Sequence, residues 1–347
     1  MKATNQLSSL VKGVSFYAPE QVVTNHDLSK VMDTSDEWIF ERSGIKERRH
    51  ATTADCTSDF GVFAAQKVLQ KTGTDAKDLD LIIATTLSPD YFFPGIGVLI
   101  QNKLAAQHIP AIDLRAQCSG FSWGMATADA YIRSGLYKRV LVVGAELQSR
   151  VVEFSDRGRS VAVLFGDGAG AMILEAQSHE EGIPAASNKV RGVIDHLMGS
   201  DGAGAELLMM KRPGFMKGEK EFFSVKDAQE KSYLPYMDGK QVFKHAVTRM
   251  VDTAQQLLAR HNLTAQDLDL VVPHQANIRI NDAVREKLGL SPDKVFNNID
   301  RYGNTTSATI PIAMSEAEEA GKLKKGGLLM TLAFGAGFTW GANLIRW

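Results

Sequence analysis

The sequence predicts an α/β protein built from two similar halves, each a mostly parallel sheet with helices packed on it. Three observations predict this. Apolar, β-branched runs alternate with longer helix-forming stretches, the pattern of strands joined by crossover helices. Asp78-Leu-Asp-Leu-Ile-Ile83 is echoed by Asp267-Leu-Asp-Leu-Val-Val272, an offset of 267 − 78 = 189. Gly135-Leu-Tyr-Lys-Arg, then Val-Leu-Val-Val, is echoed by Gly321-Lys-Leu-Lys-Lys, then Leu328-Leu-Met-Thr-Leu, an offset of 321 − 135 = 186. A repeat this long points to two units built alike, placed at residues 1–176 and 177–347.

Taken in order, Leu10 to Ala18 alternates apolar and polar residues and reads as a first strand. Thr34 and Glu37 have the spacing of a capping box, so a short helix carrying Trp38 and Arg42 should start there. Cys56 lies in a polar segment before a helix over 60–72 and is expected to be structural or incidental. A strand over 79–86, a loop Ser88-Pro-Asp-Tyr-Phe-Phe-Pro-Gly95 and a helix over 96–106 follow. Ala111 to Leu114 reads as the end of a buried strand, and Met125 to Ser134 as a helix ended by Gly135. Cys118 therefore falls on a tight strand-to-helix turn, where unpaired N–H groups favour an anion and ease loss of the thiol proton. On this stretch alone, an inert buried thiol fits as well as a nucleophile.

After a strand over 140–144, Val161 to Leu174 reads as two strands around a Gly-Asp-Gly turn. A phosphate loop is disfavoured there, because no lysine is present and no helix follows. Residues 199–240 are polar and glycine-dotted, the best candidate for a crossover or insertion between the halves. A long helix over 242–261 precedes the second copy of the repeated strand.

The repeat also places chemistry. The offset of 186 pairs Cys118 with Asn304 (118 + 186), and the offset of 189 pairs His274 with Thr85 (274 − 189). His274 then ends a strand, where ligands of α/β sheets gather. Two sheets related by a pseudo-twofold axis would bring Cys118, His274 and Asn304 to one crevice. A thiolate can form a thioester, a histidine can position a proton, and an asparagine amide donates without titrating.

The chain is 44% hydrophobic and 23% charged, with a formal net charge of −1. Such a balance gives no support for nucleic-acid binding. Two cysteines make no disulfide framework, Met1 to Leu10 lacks the apolar core of a signal peptide, and no apolar run reaches membrane-span length. A cytoplasmic protein without membrane insertion is expected. No metal-ligand spacing is present and nothing requires a bound redox cofactor.

With these residues in view, the chain resembles the β-ketoacyl-acyl-carrier-protein synthase III enzymes of the thiolase fold. The resemblance rests on Asp33-Thr-Ser-Asp-Glu-Trp-Ile, Cys118-Ser-Gly-Phe, Asp156-Arg-Gly, Phe165-Gly-Asp-Gly-Ala-Gly-Ala, Pro273-His-Gln-Ala-Asn, Tyr302-Gly-Asn-Thr and Phe334-Gly-Ala-Gly-Phe-Thr-Trp-Gly. It implies a duplicated thiolase-like five-layer αβαβα architecture and a homodimer. It also implies an acyltransferase that moves an acyl group from acyl-coenzyme A onto a cysteine and condenses it with malonyl-acyl-carrier protein, initiating fatty-acid synthesis. Coenzyme A enters as a substrate carrier, with no cofactor needed.

Carried over, Cys118 is the acylated nucleophile, and His274 and Asn304 bind the malonyl thioester carbonyl. The backbone N–H groups of Cys118 and Ala336 form the oxyanion hole. Many members have glycine where Ala336 stands; because the donor is main chain, alanine should serve. Trp38, Arg42, Arg157 and Asn277 match coenzyme A contacts, and Phe334 lies beside the catalytic groups. Phe93 reaches across the dimer to cap the partner's acyl pocket. Lys244, Arg279 and Arg285 match basic positions near the tunnel mouth suited to an acidic carrier protein, although a solvated helix face accounts better for Arg285. Residues 203–235 run longer than in compact members. The primer length stays open, since an apolar pocket separates neighbouring lengths by only ~1–3 kcal/mol per methylene. Two other readings are head-to-head condensation of long acyl chains or acyl transfer in secondary metabolism, and a non-catalytic partner subunit, which intact Cys, His and Asn disfavour.

Overall fold

A computed structural model describes residues 6–179, 190–215, 217–218 and 220–347. The first sheet holds five strands in the spatial order Gln6–Tyr17, Asp167–His179, Arg139–Leu147, Leu81–Thr85, Ala111–Asp113. The second holds four in the order Gly192–Ser200, Thr339–Arg346, Leu328–Gly335, Leu270–Pro273. Both sheets run through the same senses: two antiparallel pairings, then a parallel one. The fifth strand of the first sheet pairs in parallel with Leu81–Thr85, and a lone parallel bridge from Val271 to Val295 marks its counterpart in the second. The repeated sequence is thus a repeated fold.

Helices Gly120–Arg133 and Thr309–Glu319 lie between the sheets, while Thr57–Thr72 covers the outer face of the first and Gly239–Arg260 that of the second. The result is five layers, the thiolase-like αβαβα arrangement. Phe121, Met125, Ile310 and Met314 of the central helices share one core with Ile83 and Val142 of the first sheet and Val272 and Leu329 of the second. A strand covered on both faces has no polar side to present, so Leu81–Thr85 is buried at every position and reads as a continuous apolar run. Among the described residues, no helix is long and apolar enough to cross a membrane.

Three expectations are corrected. The short helix begins one residue later than the capping box suggested: Ser35 is the cap, its side chain accepting from Trp38 N–H. Val161 to Leu174 is not a hairpin. It holds a short helix, Arg159–Ala162, and the start of one long strand, Asp167–His179. Its glycines serve close approach instead of a turn: a Cβ on Gly166 would meet the Tyr302 carbonyl, and one on Gly170 would meet Pro311 of the central helix.

The third correction concerns the pseudo-symmetric partner of Cys118, which is Ser307 and not Asn304. Turns Gln117–Ser119 and Thr306–Ala308 correspond on the offset of 189, and at their first positions stand residues of left-handed backbone, Gln117 (φ 49°) and Thr306 (φ 46°). The offset of 186 applies only locally. The central helix of the second half has 11 residues against 14 in the first, and the turn after it regains the difference of 14 − 11 = 3 before the next strand. On the offset of 189, Asn304 is equivalent to Arg115 (304 − 189).

Candidate active site

Cys118, His274 and Asn304 line one cavity of about 420 Å³, together with Asn277, Phe334 and Ala336. Each arrives from a different element. Cys118 is on the turn before the first central helix. His274 follows the strand Leu270–Pro273, its N–H donating to Leu332 O at 2.7 Å. Asn304 precedes the second central helix, tied to the first half because its N–H donates to Leu164 O at 2.8 Å and its carbonyl accepts from Gly166 N–H at 3.1 Å.

Cys118 does not carry the eased proton expected at a helix start. Burial pushes the thiol up to about 12, with the buried Glu146 carboxylate acting in the same direction. Two backbone N–H groups beside the sulfur, of Cys118 itself and Ala336, oppose this without overcoming it. Those two N–H groups converge where a negative charge on an acyl oxygen would need them. Glu146 is held by donors from three loops: Thr86 and Ser88 hydroxyls, Leu87 N–H, the Gln148 amide, and Ser307 N–H and hydroxyl. Iodoacetamide should accordingly alkylate Cys118 slowly at neutral pH, with the rate climbing through the alkaline range. Glu146→Gln should shift that profile to lower pH; an unmoved profile would show that the charge is not felt at the sulfur.

Burial holds the His274 imidazole down to about 3, so it is neutral at physiological pH. Its Nδ1 lies 2.6 Å from the Thr309 hydroxyl oxygen, which is also 3.0 Å from Thr306 O. The hydroxyl has one proton for two acceptors. Given to Nδ1, the shorter contact, it leaves Nε2 protonated and free to donate. The Asn304 side-chain carbonyl accepts from Thr306 N–H at 2.9 Å, so its NH₂ is the group left for the cavity.

The depressed His274 value also sets a pH dependence. Between an unfolded value near 6.5 and about 3, the unfolded chain binds a proton that the folded one does not. His50, held down to about 4 by burial and by Arg48, acts in the same sense. Stability from both groups is therefore full above about pH 6.5 and is lost as pH falls. Tm measured from pH 7 to 4 should drop, and His274→Asn should flatten the curve; a parallel curve would count against the assignment.

Gly335 lets the nucleophile turn sit against the second sheet. A Cβ there would lie 2.8 Å from Cys118 N and 3.1 Å from its Cβ. Gly335→Ala should displace the turn and cost on the order of 1–3 kcal/mol of stability along with most of the activity, read by thermal melting and acylation rate. Thr339 secures the same region. Its hydroxyl lies 3.1 Å from Ala116 O and 3.0 Å from Ala336 O, and it accepts from Ser119 at 2.9 Å. Gly335 and Thr339 lie in the motif Phe334-Gly-Ala-Gly-Phe-Thr-Trp-Gly but nothing in the sequence gave them these roles, and nothing singled out Thr309, because each role needs a partner over thirty residues away.

Other expected contacts are spread around the opening. Arg42 stacks on Trp38 at 4.6 Å, but the second arginine over that ring is Arg159, at 5.4 Å. Arg157 instead donates to Glu153 and lines a separate hollow with Lys211 and Lys231. Asn277 caps the helix Ile278–Lys287 and donates to Arg42 O at 2.8 Å, linking the two halves. Phe93 is 80% exposed and does not line its own chain's cavity. Lys244 and Arg279 are exposed, whereas Arg285 is occupied by Asp282, Glu286 and Leu290 O. Among the described residues, no group of three or more acidic, His or Cys side chains is placed to hold a metal.

This geometry has close relatives. A β-ketoacyl-[acyl-carrier-protein] synthase III of Chlorobaculum tepidum is 44% identical over 338 residues, which is 95% of this chain and 97% of that protein. The chain belongs to the β-ketoacyl-acyl-carrier-protein synthase III family. The family model for 3-oxoacyl-[acyl-carrier-protein] synthase III matches residues 112–192, and that for its C-terminal part matches residues 258–347. The synthase III of Bradyrhizobium diazoefficiens is 43% identical over 342 residues, covering 99% of each chain. The crystal structure of 3-oxoacyl-[acyl-carrier-protein] synthase III from Aquifex aeolicus aligns with a TM-score of 0.86 at 38% identity, covering 98% of this chain and all of that one. The enzyme is thus an acyltransferase of the condensing type.

Proposed function

We propose that the enzyme condenses an acyl group from acyl-coenzyme A with malonyl-acyl-carrier protein, the step that initiates fatty-acid synthesis, by way of an acyl-Cys118 intermediate. The observation that carries this reading is the convergence of Cys118, two N–H groups beside its sulfur, neutral His274 and the Asn304 amide on one cavity. In the first half-reaction the Cys118 sulfur attacks the thioester carbonyl. The oxyanion accepts from Cys118 and Ala336 N–H, and coenzyme A leaves as its thiol with the cysteine's proton. In the second, the malonyl thioester oxygen accepts from Asn304 and from His274 Nε2. The bond to the carboxylate breaks, carbon dioxide leaves, and the enolate carbon attacks acyl-Cys118. The sulfur departs and regains a proton.

Trp38, Arg42 and Arg159 hold the nucleotide of coenzyme A by stacking and charge, with Arg157 at the neighbouring hollow. Asn277 orients the pantetheine arm and Phe334 packs beside the malonyl group. Lys244 and Arg279 receive the acidic carrier protein. A homodimer is supported by the unpaired outer side of the edge strand Ala111–Asp113, its exposed Ile112, and the exposed Phe93, which does not line its own chain's cavity and would be free to reach a partner's. The cytoplasm is the proposed compartment. The test is to mix the enzyme with acyl-coenzyme A and malonyl-acyl-carrier protein and weigh the carrier protein. A β-ketoacyl mass is expected; carrier protein left as malonyl with every primer would reject the reading.

A further inference from the structure

The cavity around Cys118 has two kinds of wall. Toward the helix Gly239–Arg260 it is apolar, with Leu208, Met209, Met237, Val242 and Met250. The same cavity is also lined by Arg115, Gln117 and Gln148, with Leu87 and Val151. Gln148 uses its NH₂ on Glu146 at 2.8 Å, which leaves its carbonyl oxygen. Among the described residues, Arg115 and Gln117 make no side-chain hydrogen bond or ion pair. Neighbouring carboxylates are already taken: Asp113 accepts from Ile96 and Gly97 N–H at 2.8 Å, and Glu146 is saturated. Arg115 is solvent-exposed where it meets the cavity, so its charge is hydrated there until an acyl chain reaches it. A hydrocarbon tail would then strip water from the guanidinium without replacing its hydrogen bonds. A carboxylate would replace them with charge-assisted ones. Arg115 also holds the place in the first half that Asn304 holds in the second, and both line the same cavity.

We propose that the primer of this enzyme carries a carboxylate at the far end of a short acyl chain, received by Arg115 with Gln117 alongside. This rests on the synthase reading above. The chemistry at Cys118 is unchanged: the sulfur–carbonyl bond forms, the bond to the coenzyme A sulfur breaks, and the remote carboxylate takes no part.

The test is the rate of Cys118 acylation, followed by intact mass, with succinyl-, glutaryl- and adipoyl-coenzyme A against butanoyl-, pentanoyl- and hexanoyl-coenzyme A. At least one carboxylated thioester should outpace its methyl-ended match by roughly tenfold or more. Arg115→Met should collapse that ratio, and Arg115→Lys should keep part of it. Equal or slower loading of every carboxylated thioester, or a ratio untouched by Arg115→Met, overturns the proposal while leaving the synthase reading standing. Failure of all the thioesters to load overturns both.

Discussion

Cys118→Ala is expected to load no acyl group from any thioester and to lower overall condensation on the order of 10⁴-fold or more. The sulfur is the one atom in the cavity able to form and release a thioester under two converging N–H groups. The substitution keeps the Cβ that packs against Gly335, so the turn and its neighbours should stay in place and the melting temperature should barely move. The loss is then chemical and not structural. His274 and Asn304 lie outside the change, so malonyl-acyl-carrier protein should still be decarboxylated, yielding acetyl-carrier protein in place of β-ketoacyl product. A Cys118→Ala enzyme that still formed β-ketoacyl product would remove the acyl-enzyme from the mechanism.

The second large effect belongs to His274. His274→Ala should slow decarboxylation by roughly 10²- to 10³-fold, the cost of losing one donor to a developing oxyanion. Acylation of Cys118, measured alone, should fall far less. The Thr309 hydroxyl, 2.6 Å from Nδ1, decides which nitrogen of a neutral ring keeps the proton. Thr309→Val removes that control and should cost roughly tenfold in condensation, while Thr309→Ser should restore most of it. If Thr309→Val left the condensation rate intact, the histidine's donor role would have to be reassigned.

Attack on a thioester wants the Cys118 proton gone, yet burial and Glu146 keep it on. Keeping it on protects the thiol from adventitious electrophiles, and proton loss then coincides with attack. Glu146 also joins the loop after the strand Leu81–Thr85 to the turn bearing Ser307, so the charge that raises the thiol also locks the two halves together.

Much of this was legible in the chain itself. The strand–helix alternation and the 189-residue echo required two like halves, because buried strands must be apolar throughout and repeated units bury a shared core. The positions of Cys118 and His274 at the ends of their elements followed from that order. Local sequence placed the cap of the short helix at Asp36–Ser43 to within one residue, but the helix expected from Met125 begins five residues earlier, at Gly120. What it could not fix was anything set by approach between distant segments. The partner of Cys118 by symmetry was misassigned as Asn304 because a helix lost three residues and a turn regained them, a compensation that no local pattern records. The glycines of 166–170 looked like a turn, whereas only the closeness of Tyr302 and Pro311 explains them. The exchange of Arg157 for Arg159 at Trp38, the hold of Thr309 on His274, and the open charge of Arg115 are likewise decided in three dimensions. Side-chain burial and hydrogen bonding depend on which segments the fold presses together, and those contacts span tens to hundreds of residues of chain.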